Sequence, residues 1–245
     1  MPNHVRRGML PLLLSFTAAA ALADPPRTVV DTLCRPTFEL KDQPLSAGTA
    51  FLMETGVEKQ PVVLVTAHHL LGPMGGLTTE VAWNDVPKSV KRASCKSITA
   101  PAQSWTGIPL AIPGAASFNN QTREGLRDIA LLTVQGKPAA KALKLAPAQP
   151  KLGDTVWLVA QLVSGAPKDK LLFKAKVSRV QDLALNYIID DPDGTFELRA
   201  TSGAPVVNDR GEVVAVNLAG GRVAEGFNLA GISINVVRKA LESVK

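Results

Sequence analysis

The sequence holds little histidine, cysteine and aromatic residue. Three residues of 245 are histidine, two are cysteine and one is tyrosine, and aromatics make up 4%. His68 and His69 are the only histidines beyond the first few residues, so any imidazole chemistry must come from that adjacent pair. Neighbouring strand residues point to opposite faces, so a single metal ion is poorly served by both. Cys34 and Cys95 lie too far apart to suggest a metal site; in an oxidising compartment the pair reads as a disulfide. Charge of one sign does not dominate. The net charge is +6, two units of it on Arg6 and Arg7, and the remainder is scattered, which argues against a nucleic-acid partner. Beyond the N-terminus no run is long or apolar enough to span a bilayer. Solenoid-period repeats and low-complexity tracts are also missing.

The N-terminus has the three parts of a secretory signal. Arg6 and Arg7 form a positive start, Met9 to Leu22 is almost wholly apolar, and Ala21-Leu22-Ala23 fits the small-x-small cleavage pattern. Residues 1–23 are therefore expected to be a signal peptide. The mature chain from Asp24 is expected to be soluble and exported, to a periplasm or beyond, with no membrane attachment after cleavage.

The chain as a whole is 46% hydrophobic and 20% charged, an ordinary globular composition. Nineteen Gly and eighteen Pro make turns frequent. Asp24 to Phe38 reads as a Pro-containing arm. Strands are expected at 48–53, 62–66, 88–99, 127–134, 155–160, 171–180, 184–189, 205–207, 212–217 and 228–234, with a weak alternation at 79–83. Pro101 to Gln121 has no clear period and reads as a surface insertion. Residues 136–151, rich in Lys, Ala and Pro, read as a connector between two units, one at about 40–135 and one at about 152–245. Val236, Val237, Ala240, Leu241 and Val244 fall at helical spacing, so a short helix is expected at the end. Many short strands and one terminal helix give an all-β sandwich or barrel architecture.

One stretch organises the rest. In Leu198-Arg-Ala-Thr-Ser-Gly-Ala-Pro-Val-Val-Asn208, Ser202 occupies a tight turn between small residues, followed by a short strand, the Asn208–Gly211 hairpin turn and a second strand. A serine in such a turn is by itself an ordinary turn residue. The stretch resembles the nucleophile turn of trypsin-like (chymotrypsin-fold) serine proteases, written Gly-x-Ser-Gly-Gly-Pro. Thr66-Ala67-His68-His69 resembles that family's Thr-Ala-x-His, and Asp128-Ile-Ala-Leu-Leu132 resembles its acid before an apolar strand. Leu152-Gly153-Asp154 and Gly211-Glu-Val-Val-Ala-Val216 match as well. The likeness covers 48–241 in the order His, Asp, Ser.

The resemblance implies two six-stranded antiparallel β-barrels with a short C-terminal helix, and a serine endopeptidase acting on proteins or peptides without a cofactor or metal. It implies His69 as base, Asp128 as its support, Ser202 as nucleophile, and the N–H groups of Ala200 and Ser202 as oxyanion donors. The specificity pocket would involve Phe196, Leu218, Ala219 and Gly220, with a preference for small or apolar side chains. Several positions depart from the pattern. Ala200 and Ala204 stand where glycine is usual, and Leu218 replaces a Ser or Thr whose hydroxyl supports the acid. Thr201 replaces the acid that animal digestive members pair with a new N-terminus. The acids at 190, 191 and 193 read as a solvated turn, calcium being the other reading. Ala200 and Leu218 motivate a rival: the same fold, catalytically weak or inactive, kept as a protein-binding module. A serine esterase of the α/β-hydrolase kind fails on residue order, on the missing Gly-x-Ser-x-Gly elbow and on the lack of alternating βα units.

Overall fold

The computed structural model describes residues 24–41, 43–118, 127–191, 194–224 and 226–244. The expected signal peptide, the end of the 101–121 stretch and Asp193 lie outside them.

The first barrel is built from β1 (Leu33–Leu40), β2 (Pro44–Ser46), β3 (Ala50–Glu54), β4 (Val62–Thr66), β5 (Val90–Ser97), β6 (Ser104–Pro109) and β7 (Ala130–Val134). Its order is β2-β1-β3-β4-β7-β6-β5, and pairing of β1 with β5 closes it. One edge of β1 pairs with β5 from Cys34 to Leu40; the other is shared by β3 at Leu33 and Cys34 and β2 at Thr37–Glu39. Along β5, Ala93, Cys95 and Ser97 face inward while Lys91, Arg92, Ser94 and Lys96 face water, the period of two that a one-sided strand requires.

The second barrel closes as β10-β13-β12-β11-β8-β9. Its strands are β8 (Thr155–Val159), β9 (Leu172–Val180), β10 (Ala184–Ile189), β11 (Pro205–Val207), β12 (Val213–Val223) and β13 (Gly226–Ser233). All five residues of β8 are buried, which explains their lack of alternation: both faces of that strand are covered. A one-turn helix, α1 (Val86–Ser89), precedes β5, and α2 (Ile234–Leu241) ends the fold. Ser233 caps α2 by accepting from the Asn235 N–H, and Arg238 and Lys239 sit in its last turn, where the helix dipole favours cations.

Two apolar clusters result. One, around Tyr187, Phe173, Val156 and Leu158, fills the second barrel. The other fills the first barrel around Phe38, Phe51, Met53 and Leu64 and continues through Trp157, Val216, Ile232 and Val237, so the two barrels share a dry boundary. The connector is stitched to both. Leu143 exchanges backbone bonds with Leu52 and Glu54, and Ala146 donates to Val213.

Three expectations need correction. Asp24 to Phe38 is not a free arm: Arg27–Thr32 is a 3-10 helix, and β1 is the strand that closes the first barrel, which thus takes in residues before 40. Arg35, Thr37 and Glu39 alternate with its apolar positions as in a one-sided strand, but Pro36 inside the run reads against a strand. The insertion at 101–121 contains β6, whose alternation is masked by Gly107 and Pro109; Gly107 lies where a Cβ would be 2.8 Å from Leu132. Residues 79–83 form no strand.

Cys34 and Cys95 form a disulfide, with Cα atoms 5.3 Å apart on the paired strands β1 and β5. It locks the closing seam of the first barrel. A thiol titration of the unfolded, unreduced protein should find no free thiol. Replacing both cysteines with alanine should cost about 2–4 kcal/mol in chemical denaturation.

Candidate active site

The His68–His69 pair follows β4 directly, in a 3-10 turn at His68–Leu71. Both rings are buried, and they face different partners. The His69 Nδ1–H donates to Asp128 Oδ2 at 2.7 Å, and the His69 backbone N–H donates to Asp128 Oδ1 at 2.8 Å. With Nδ1 donating, the neutral ring presents Nε2 as an acceptor. That Nε2 is buried and has no partner among the described residues. His68 turns away, its Nε2 donating to the Val81 carbonyl at 3.0 Å, with Glu80 at 3.4 Å. Burial holds the His68 ring below its ordinary pKa, with nearby Asp128 and Glu80 opposing the shift.

Asp128 is fully buried, so its charge must be met by donors. Two come from His69. The third is the Phe118 backbone N–H, 3.0 Å from Oδ2. Leu218, expected to leave the acid short of a hydroxyl, does supply none: its side chain is buried in the shared core. Phe118 supplies a donor instead. Its ring also stands edge-on to His69, with centroids 5.4 Å apart. The adjacent Ser117 N–H is anchored on Glu80 Oε1 at 2.7 Å, the carboxylate that faces His68. Sequence reasoning missed Phe118 because a backbone donor has no side-chain signature.

Ser202 is half-buried, in a turn pressed against the first barrel. Its carbonyl accepts from the Thr49 N–H at 2.8 Å. Gly203 is required beside it: a Cβ there would sit 2.2 Å from the Thr49 carbonyl oxygen and 2.4 Å from Thr66 Oγ1. The serine turn therefore touches the end of the strand that delivers His69. The Ser202 hydroxyl donates to the Leu218 carbonyl at 2.7 Å.

Thr201 N–H donates to the Leu198 carbonyl, and Ala200, third residue of that turn, has φ +63°. This is the signature of a type II turn, which demands a left-handed third residue. Alanine here holds the conformation usual for glycine, and it alone does so among described non-glycine residues. The local cost is about 1–2 kcal/mol. The N–H groups of Ala200 and Ser202 donate to no group among the described residues. Ala204, the other glycine replacement, is fully buried in ordinary backbone geometry.

Beneath the turn lies a neutral buried chain. Tyr187 Oη–H donates to Asn217 Oδ1 at 2.6 Å, the Asn217 amide donates to Thr201 Oγ1 at 3.0 Å, and Thr201 Oγ–H donates to the Leu198 carbonyl at 2.7 Å. Burial pushes the Tyr187 hydroxyl well above its ordinary pKa, keeping it a neutral donor.

The expected pocket residues separate. Leu218 contributes only its carbonyl. Ala219 and Gly220 follow a bulge in β12, with Ala219 half-buried and Gly220 exposed. The Phe196 ring stacks edge-on against Phe173, and Lys170 Nζ lies 5.3 Å from both ring centroids. Asp191 is not part of a solvated turn: it is buried, accepts from the Thr195 and Phe196 N–H groups and faces Arg222.

Residues 48–216 match the family model of the trypsin-like peptidase domain. The chain belongs to that family. The trypsin-like fold is seen again in the Rv3671c protease of M. tuberculosis. Its active form aligns with a TM-score of 0.55 at 15% identity, over 97% of this chain and 94% of that one. Its inactive form aligns with a TM-score of 0.53 at 15% identity, over 91% and 98%. At this identity the likeness is one of fold. No curated protein is detectably similar in sequence.

Two outcomes check the geometry around the trypsin-like serine turn. Ala200→Gly should raise stability by about 1 kcal/mol, because glycine takes the left-handed conformation without strain, and melting curves read this directly. Tyr187→Phe leaves the Asn217 carbonyl without its donor and should cost about 1–3 kcal/mol in denaturant unfolding.

Proposed function

We propose that this trypsin-like domain is a serine endopeptidase in which Ser202 attacks a peptide carbonyl, His69 is the general base and Asp128 its buried support. The observation that carries the reading is His69 itself. One ring nitrogen is committed to a fully buried carboxylate and the other is an unpartnered acceptor, on the loop that the Ser202 turn abuts. An imidazole held in that tautomer presents Nε2 as a proton acceptor, which is what a general base requires.

In the resting arrangement the serine hydroxyl rests on the Leu218 carbonyl. Rotation about its Cα–Cβ bond carries Oγ toward Nε2. The Leu218 carbonyl is then left free to accept an N–H from an extended substrate backbone. Attack by Oγ on the scissile carbonyl moves the serine proton to Nε2, and Asp128 stabilises the resulting imidazolium. The N–H groups of Ala200 and Ser202 face the developing oxyanion. Collapse expels the amine, protonated by His69, and leaves an acyl-serine. Water activated by the same nitrogen then releases the acid. Substrates are proteins or peptides. Phe196 on Phe173 leaves an apolar surface for the residue before the cut, and Lys170 brings a positive charge beside it. The disulfide suits an oxidising compartment, in keeping with export.

The position of the Ser202 hydroxyl favours a second reading, a resting protein-binding module on the same fold. A fluorophosphonate probe separates the two. Labelling should occur at Ser202 and be abolished by Ser202→Ala. It should fall at least about a hundredfold in His69→Ala and Asp128→Asn, because the three act as a unit. His68→Asn should stay within a few-fold of the native rate. An unlabelled native protein would overturn the hydrolase reading and favour the binding module.

A further inference from the structure

Ser202 and its two neighbouring N–H groups sit on the second barrel, while His69 and Asp128 sit on the first. Any error in docking one barrel on the other becomes an error in nucleophile geometry. One side chain reaches across all the segments concerned. Arg35, on β1 beside the disulfide, points its guanidinium at four neutral oxygens. Its Nη1 donates to the Ala200 carbonyl at 2.6 Å, the Gly48 carbonyl at 3.0 Å and Thr49 Oγ1 at 2.8 Å. Its Nη2 donates to the Gln161 carbonyl, just past β8, at 2.9 Å. The Thr49 hydroxyl donates to the same Ala200 carbonyl at 2.7 Å. Ala200 is the strained residue of the serine turn, and strained backbone persists only where its surroundings over-determine it.

We propose that Arg35 is a positioning residue for the hydrolytic reaction: it docks the Ser202 turn onto the first barrel and fixes a positive charge on the Ala200 carbonyl, in the turn that carries the Ala200 and Ser202 N–H groups. This rests on the serine-hydrolase reading above. The residue type matters for two reasons. A guanidinium keeps its charge at every pH the fold survives, although burial lowers its pKa. Its planar fork also serves carbonyls from both barrels at once, where an ammonium serves a single point. Because the charge is fixed on the turn that carries the donors, it acts on the oxyanion of the transition state more than on the bound neutral substrate. Its loss should therefore appear in kcat and not in KM.

The experiment compares native protein, Arg35→Ala, Arg35→Lys and Thr49→Val by fluorophosphonate labelling and by hydrolysis of a peptide ester, each rate normalised to folded protein. Arg35→Ala should fall about 10- to 100-fold in labelling rate and kcat, less than the loss of a full oxyanion donor, with KM within a factor of about two. Arg35→Lys should recover part of that loss. Methylguanidinium at about 50 mM, far below denaturing concentrations, should restore Arg35→Ala, while equal urea or sodium chloride should not. Thr49→Val, which removes the second donor to Ala200 and one acceptor of Arg35, should lose a few-fold. If Arg35→Ala does not fold, Arg35→Lys and Thr49→Val decide alone. Native rates per folded molecule in both, or in Arg35→Ala, would make Arg35 a structural staple and overturn the proposal, as would failure of methylguanidinium to rescue a folded Arg35→Ala. A native protein that never labels would instead remove the hydrolase reading, independently of Arg35.

Discussion

The close approach of Gly203 to the Thr49 and Thr66 end of the first barrel is the constraint on which the rest depends. A side chain at 203 would overlap the Thr49 carbonyl oxygen, so the serine turn reaches the histidine loop only because that position is glycine. The Thr49 N–H to Ser202 carbonyl bond, the Thr49 and Arg35 bonds to Ala200, and the shared apolar cluster all act across the same boundary. Apolar burial brings the barrels together without direction. The backbone bonds and the missing Cβ set the register, and with it the seat of the Ser202 turn on Thr49, Thr66 and Ala67.

On the histidine side the governing term is desolvation. A fully buried carboxylate is tolerated only when fully met by donors, and three N–H groups converge on Asp128. Two belong to His69, so the ring is oriented by the same bonds that solvate the acid. The third comes from Phe118, which is held in turn through Ser117 on Glu80. The residue that replaces the missing hydroxyl is therefore supplied by a long loop of the first barrel. This makes the support of the acid, and the cover over His69, one local structure.

Much of this was legible in the sequence, and what was hidden has a common physical cause. The β-branched run at 62–66, the apolar runs at 130–134 and 155–159 and the Ser202 turn carry their structure in side-chain type, and the strands fall where that pattern puts them. His69, Asp128 and Ser202 stood out as chemistry-bearing residues in order. The strands β1 and β6 did not: Pro36 argues against a strand in an otherwise regular alternation, and Gly107 and Pro109 occupy inward positions of β6 that larger apolar residues usually fill. Gly107 is there because it packs closely on Leu132. Phe118 and the carbonyl of Leu218 act through the backbone, which no composition or spacing reveals. Ala200 read as a departure from glycine, yet its left-handed backbone belongs to the turn, whatever residue occupies it.

The neutral chain below that turn sets this protein apart from family members that use an acid at position 201. An acid there needs a cation, and the turn then depends on when that cation arrives. Thr201 removes the dependence: its hydroxyl donates back to Leu198 and accepts from Asn217, which Tyr187 orients in turn. Each link is neutral and short, and every atom in it is paired, so burial strengthens the chain without the penalty of an isolated charge. The turn is held from below by neutral groups and from the side by Arg35, and the Ala200 and Ser202 N–H groups are left without an acceptor among the described residues. On that arrangement the conformation of the serine turn is set by folding itself, and the proposed mechanism asks of it only that the Ser202 hydroxyl rotate away from the Leu218 carbonyl.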